Sequence, residues 1–230
     1  MKKIIDFSNT TISQAIEMQN AKSNIFSVGT SLLNPAKPFM DLWSKVNKYF
    51  TEYKLHIVPF DDNHTDILNV IEQLGNKFDF LIGVCDSKQW LKRCNMLPLG
   101  RYKKMISVSK SHRLANKKLI DITDLYGETL MMVKEGDSYI NDFIRQDLRL
   151  HHPQINIKDT PHHYDLSVFN YCAETDNILL CIECWANVHP ELVTIPVDWN
   201  YTIPYGLLYS LNASDSVKKF ISTVENNLLL

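Results

Sequence analysis

Phe78-Asp79-Phe80-Leu81-Ile82-Gly83-Val84 is a nearly continuous apolar run, broken only by Asp79 and Gly83. Such a run suits a parallel strand buried on both faces, because a strand with one wet face would alternate apolar and polar residues. Just upstream, Ile67, Leu68, Ile71 and Leu74 recur at helical spacing, and Gly75 supplies a stop. A polar loop, Asp61-Asp62-Asn63-His64, separates that helix from a strand at Leu55-His56-Ile57-Val58. Earlier still, Ile25-Phe26-Ser27-Val28-Gly29 reads as a strand, and Asn34-Pro35 as an N-cap with proline at the first helical position. The helix that follows places Phe39, Leu42, Trp43, Val46 and Phe50 on one face. Three strands joined by two crossover helices open a doubly wound α/β unit.

A second alternation begins after a strand candidate at Arg101 to Val108. Leu130 to Val133 reads as a strand and Gly136-Asp137 as a turn, and Tyr139, Ile140, Phe143, Ile144 and Leu148 as one face of a helix. Ile155-Asn156-Ile157 alternates like a strand, Leu166 to Ala173 suits a helix, and Ile178 to Ile182 is another buried strand. Tyr205 to Leu211 is a late strand, and Val217, Phe220, Ile221, Val224 and Leu228 form one face of a final helix. Ile4 to Ser23 is compatible with a helix carrying only a weak apolar stripe.

At 230 residues, 45% hydrophobic and 22% charged, the chain has the composition of a globular protein with room for two subdomains. Its 24 Lys+Arg against 26 Asp+Glu give no basic excess of the kind that drives phosphate-backbone binding. Five cysteines, an odd number, and a start without an apolar signal core lead to a cytoplasmic expectation, and no apolar run is long enough to span a membrane. No G-x-S-x-G elbow, Walker loop or G-x-G-x-x-G occurs, so no catalytic residue and no cofactor are assigned. Cys181-Ile182-Glu183-Cys184 reads as buried inert thiols rather than a redox or zinc pair, because residues three apart on a strand face opposite ways. The pairs His151-His152 and His162-His163 lack helical metal-ligand spacing, so no metal site is assigned. Between Arg101 and Lys118 lie seven basic residues and no acidic one, which reads as a solvated surface.

Several phrases then stand in a familiar order. Phe26-Ser27-Val28-Gly29-Thr30-Ser31 before a proline-started helix resembles the first strand of the effector-binding domain of LysR-type transcriptional regulators. Leu74-Gly75-Asn76-Lys77-Phe78-Asp79 leading into an apolar strand is similar to that family's leucine-glycine and aspartate phrase. Ser111-His112-Arg113-Leu114-Ala115, with Ile122-Thr123-Asp124-Leu125 after it, is similar to the family's His-Pro-Leu-Ala turn, with Arg113 in place of proline. Asp176-Asn177-Ile178-Leu179-Leu180-Cys181 stands where the family has a Gly-rich turn and strand.

The resemblance implies two Rossmann-like subdomains joined by two crossover segments, in the manner of type 2 periplasmic binding proteins. Subdomain I is expected at 25–100 and 206–230, subdomain II at 101–205, and hinges near 100–108 and 203–208. Residues 1–24 would be the end of a linker helix. DNA would be met only through a winged helix-turn-helix domain missing from this chain. The implied function is effector sensing, read out through a homodimer or tetramer built on the helix with Phe39 and Trp43 and the strand Leu55 to Val58. A solute-binding protein of the same architecture and a small α/β enzyme are the alternatives.

In open α/β sheets a ligand sits beyond the carboxyl ends of the strands. That rule selects Thr30, Ser31 and Leu32, then Phe60, Asn63 and Thr65, then Cys85. From the second half it selects Lys134, Gly136, Asp137, Ser138, Pro161, His162 and His163 as effector-binding candidates. Hydroxyls and helix N-termini there favour a small carboxylate as the effector. Asp61, Asp62, Asp86 and Asp137 would repel an anion unless Lys134, His162 or His163 compensates. Ser, Thr, Asp and Asn before a helix are also ordinary N-caps.

Overall fold

The computed structural model describes residues 24–62, 66–84 and 86–228. The expected helix at Ile4 to Ser23 lies outside them. The strands are β1 Ile25–Thr30, β2 Lys54–Pro59, β3 Phe80–Val84, β4 Cys94–Ser109, β5 Thr129–Val133, β6 Asn156–Thr160, β7 Ile178–Ile182, β8 Leu192–Pro196 and β9 Thr202–Ser210. The α-helices are α1 Lys37–Val46, α2 Ile67–Glu72, α3 Lys88–Leu91, α4 Tyr139–His151, α5 Leu166–Ala173 and α6 Asp215–Leu228. Strand order is β2-β1-β3-β9-β4-β7-β5-β6, with β8 paired to β4. β1 is parallel to both β2 and β3, and β5 to both β6 and β7, while β4 and β9 run antiparallel between the two parallel groups.

Two lobes follow from this order, each with apolar packing on both sheet faces. In the first lobe Phe80 and Ile82 of β3 face a core formed with α1 and α6, while Leu81 faces Val70, Ile71, Leu74 and Trp90 of the α2–α3 layer. Burial on both faces is why β3 is apolar at every position but Gly83. The second lobe repeats the device: Ile178 and Leu180 of β7 join Ile144 and Leu148, and Leu179 joins Val168, Phe169 and Cys172 of α5. Phe220 of α6 is wholly buried, with ring centroids 4.9 to 5.5 Å from those of Phe80, Phe26, Phe50 and Phe39.

The two halves meet on β4, which pairs with β9 from Cys94 to Lys103 and with β7 from Lys104 onward. Pro98 lacks an N–H for the ladder, and the register shifts by a bulge between Pro98 and Gly100. Opposite the bulge sits Gly206, where a Cβ would come within 2.4 Å of the Leu97 carbonyl oxygen.

Several local expectations are corrected. The first helix starts at Lys37 with Pro38 in its first turn and Ala36 at the cap, because Asn34 is buried and its amide donates to the Ile82 carbonyl. That helix ends at Val46, and Phe50 reaches the same core from beyond a 3-10 turn at Asn47–Tyr49. On α4, Tyr139 and Phe143 are exposed, and the buried face is Asn141, Ile144, Arg145 and Leu148. The Arg101 to Val108 strand is the second half of a 16-residue strand, and β8 and α3 are further elements of the fold. Phe39, on the helix expected to join a dimer, is wholly buried in the core of its own chain, as its place on the apolar face implies. Replacing Phe220 by Ala is expected to destabilise the chain by about 3–5 kcal/mol, measured by urea unfolding, because the ring is the common neighbour of four other buried aromatics.

Candidate functional site

Two Asp-Ser pairs, Asp86-Ser87 after β3 and Asp137-Ser138 after β5, lie opposite one another across the lobes. Each serine caps its own helix: Ser87 Oγ accepts from Trp90 N, and Ser138 Oγ from Asn141 N. Each aspartate serves the other lobe. Asp137 accepts from the Ser87 hydroxyl and, at 3.0 Å, from Gln89 N, while Asp86 accepts from Ser138 Oγ at 2.8 Å and Ile140 N at 2.7 Å. The Lys88 amide adds a backbone bond to the Asp137 carbonyl. Burial raises the Asp137 pKa, but the bonds from Ser87 and Gln89 and the nearby His163 outweigh it and hold the carboxyl below its ordinary value.

A second tie joins the lobes. Leu33, in the loop after β1, packs among Met131, Val168, Phe169 and Leu179 of the second lobe. Its carbonyl accepts the indole N–H of Trp185 at 2.8 Å, and its own N–H donates to Asp62.

Between these ties lies a cleft of about 380 Å³, within the range of small-molecule sites. The first lobe lines it with Asn34, Phe60, Asp62, Asp66, Asp86 and Trp90, among others. The second contributes Lys104, Asp137, Ser138, Asn141, Pro161, His162, His163, Tyr164, Asp165 and Trp185.

Phe60, Asp137, Ser138, Pro161, His162 and His163 are thus brought together on the cleft wall. Thr30, Ser31, Leu32, Lys134 and Gly136 are not. The hydroxyl oxygens of Thr30 and Ser31 accept from Ala36 N and Asn34 N in their own loop, and Leu32 is exposed to solvent. Gly136 forms the turn, at φ +113°, that delivers Asp137. Lys134, one of the expected compensating charges, does not line the cleft either. Asn63, Thr65 and Cys85 lie outside the described residues.

The main residue missed is Lys104. Placed by its neighbours in a basic, solvated run, it is buried on β4, and its ammonium donates to Asn141 Oδ1 at 2.7 Å. Burial pushes its pKa down to about 8, against the opposing charge of Asp86. It stands where β4 passes from pairing with β9 to pairing with β7. Other members of the run are exposed as expected, with Lys110, Arg113 and Lys117 paired to Glu191, Glu128 and Asp124.

His163 Nε2 lies 3.5 Å from Asp137 Oδ2, and burial holds the imidazole below its ordinary value although Asp137 and Asp66 act the other way. Cys181 is buried on β7 with a contact to Ser107 Oγ, Cys184 sits in the following turn, and burial pushes each thiol up to about 12. At neutral pH these are thiols, not thiolates. Among the described residues no group of three or more His, Cys, Asp or Glu is placed to hold a metal ion.

Two outcomes are expected. Asp137→Ala should cost about 2–4 kcal/mol in urea unfolding, because it removes charge-assisted bonds and leaves buried donors unpaired. For Lys104 the folded pKa is below the unfolded one, so between about pH 8 and 10.5 the unfolded chain binds more protons and stability rises with pH. The rise should reach at most about 1.4 kcal/mol per pH unit and should be absent from Lys104→Met.

No family model matches the chain, and no curated protein is similar to it in sequence. Solved structures are similar in fold. CbnR, a LysR family transcriptional regulator, superposes with a TM-score of 0.62 at 10% identity, over 98% of this chain and 77% of its own. The effector binding domain of QuiR in complex with shikimate gives 0.58 at 17% identity, over 86% and 94%. The CcmR regulatory domain of Synechocystis in complex with 2-PG gives 0.50 at 15% identity, over 89% and 97%. The chain has the fold of LysR effector-binding domains: two α/β lobes joined by two crossing strands, in the manner of type 2 periplasmic binding proteins.

Proposed function

We propose that this chain is the small-molecule-sensing domain of a LysR-like transcriptional regulator. The observation that carries the reading is the interlobe cleft, walled by aromatic and polar side chains from both halves. Two structures of the same fold hold a small molecule, shikimate on QuiR and 2-PG on CcmR. The effector contacts Phe60, Asp137, Ser138, Pro161, His162 and His163, together with Lys104, Asn141 and Trp185. Residues 25–100 with 206–228 act as one rigid lobe and 101–205 as the other, bending where β4 and β9 cross. A ligand that touches both lobes favours one lobe arrangement by its differential affinity for it. That arrangement is read out by a dimer joined through the edge strand β2 and the outer face of α1, where Ile57 and Met40 are exposed. DNA is met by a separate winged helix-turn-helix unit. No helix among the described residues is long and apolar enough to cross a membrane, and the reading places the chain in the cytoplasm.

A thermal-shift screen of metabolite-sized acids, amines, sugars and amino acids should yield at least one saturable rise in melting temperature, because a ligand for the folded state stabilises it by mass action. Val84 also lines the cleft, and Val84→Phe, which enlarges a side chain on its wall, should suppress that rise. A broad library that shifts nothing, or a shift that survives Val84→Phe, would count against the reading.

A further inference from the structure

The chemistry of the cleft selects the charge of what it holds, and this inference rests on the reading of the cleft as a ligand site. Four helices begin at its rim, and a carboxylate of the protein already occupies each beginning. Asp66 accepts from Leu68 N of α2, Asp137 from Gln89 N of α3, Asp86 from Ile140 N of α4, and Asp165 from Ser167 N and Val168 N of α5. All four of these aspartates line the cleft, and Asp62 is a fifth. The positive ends that would attract an anion are therefore satisfied from within.

Against these five carboxylates, Lys104 is the one lysine or arginine among the described residues on the cleft wall. Its ammonium is engaged by Asn141 and lies under the field of Asp86. A bound anion would meet uncompensated like charge, whereas a cation would be attracted in a partly desolvated space where charges interact several times more strongly than in water. Phe60, Trp90, Tyr164 and Trp185 supply aromatic walls suited to a cation with an apolar body.

A separate observation also points to a ligand. Trp90 lines the cleft and is only 7% exposed, yet its indole N–H has no partner among the described residues. The same holds for Nδ1 of His162 on the facing wall. Buried polar atoms are rarely left unpaired, and a hydroxyl, which both donates and accepts, can serve either of them.

We propose that the cleft takes a small organic cation, an ammonium group set toward the aspartates on an aromatic or apolar body that carries a hydroxyl. Three probes of one shape separate charge from fit: tyramine, its neutral counterpart tyrosol, and the anion 4-hydroxyphenylacetate. Each is titrated at neutral pH into the full chain labelled with nitrogen-15 at the tryptophan indoles, with signals assigned by single Trp→Phe variants. Tyramine is expected to move the Trp90 and Trp185 signals saturably, with an affinity about tenfold or more above that of tyrosol, and 4-hydroxyphenylacetate to leave them in place. Raised salt should narrow the gap between tyramine and tyrosol. Asp62→Asn keeps an acceptor for Leu33 N and should narrow the ratio of tyramine to tyrosol affinity. If 4-hydroxyphenylacetate binds as well as tyramine, or tyrosol equals tyramine, the cation proposal is overturned while the cleft remains a ligand site. If none of the three moves either signal up to its solubility limit, the cation proposal is overturned, and the ligand-site reading stands or falls separately on the thermal-shift screen.

Discussion

The reciprocal exchange between Asp86-Ser87 and Asp137-Ser138 governs how the two lobes face each other. Each pair caps its own helix with the serine and satisfies the opposite helix with the aspartate, so neither lobe completes its hydrogen bonding alone. A buried carboxylate is costly to leave unpaired, which makes this arrangement directional: the lobes gain most when the two Asp-Ser pairs stand opposite each other. The Leu33–Trp185 contact adds an apolar counterpart on another side of the cleft. The cleft lies between these two ties, with Lys104 on its wall.

The same constraint explains the electrostatic character of the site. Folds of this kind commonly expose helix N-termini to their clefts, and the first expectation for such ends is an anion. Here sequence placed aspartate just before α2 and α5, and placed aspartate before the capping serine of α3 and α4, so the protein's own carboxylates fill those seats. Helix capping and ligand charge are one problem in this cleft rather than two.

Much of the fold was legible in the residues because β3 and β7 are buried on both faces and so carry unbroken apolar runs, and α5 and β7 fall at the bounds that their patterns imply. Patterning failed where a polar residue is buried with a partner. Apolar spacing on α4 pointed to Tyr139 and Phe143, yet the helix buries Arg145, whose guanidinium reaches the Val133 carbonyl and Asp159. Asn34 has the composition of a cap but acts as a core amide. For the cleft, the rule about strand ends pointed to Asp137, Ser138, Pro161, His162 and His163 without any structure, because each lies in the loop that follows β5 or β6. It could not separate them from Thr30 and Ser31, which have the same local chemistry but close their own loop. Lys104 was hidden by the exposed cations around it, since one-dimensional charge density does not report the direction of a side chain on a strand.

The path of the chain also sets an order of events during synthesis. Residues 101–200 contain nearly all of the second lobe in one uninterrupted stretch, while the first lobe is split and its aromatic core is closed by Phe220 on α6. As the polypeptide leaves the ribosome from its N-terminus, β1, β2 and β3 emerge early but wait for β9 and α6 to cover them. The second lobe can therefore be complete while the first still exposes Phe26, Phe39 and Phe80. The nascent chain is thus most prone to aggregation in the interval between completion of the second lobe and emergence of α6.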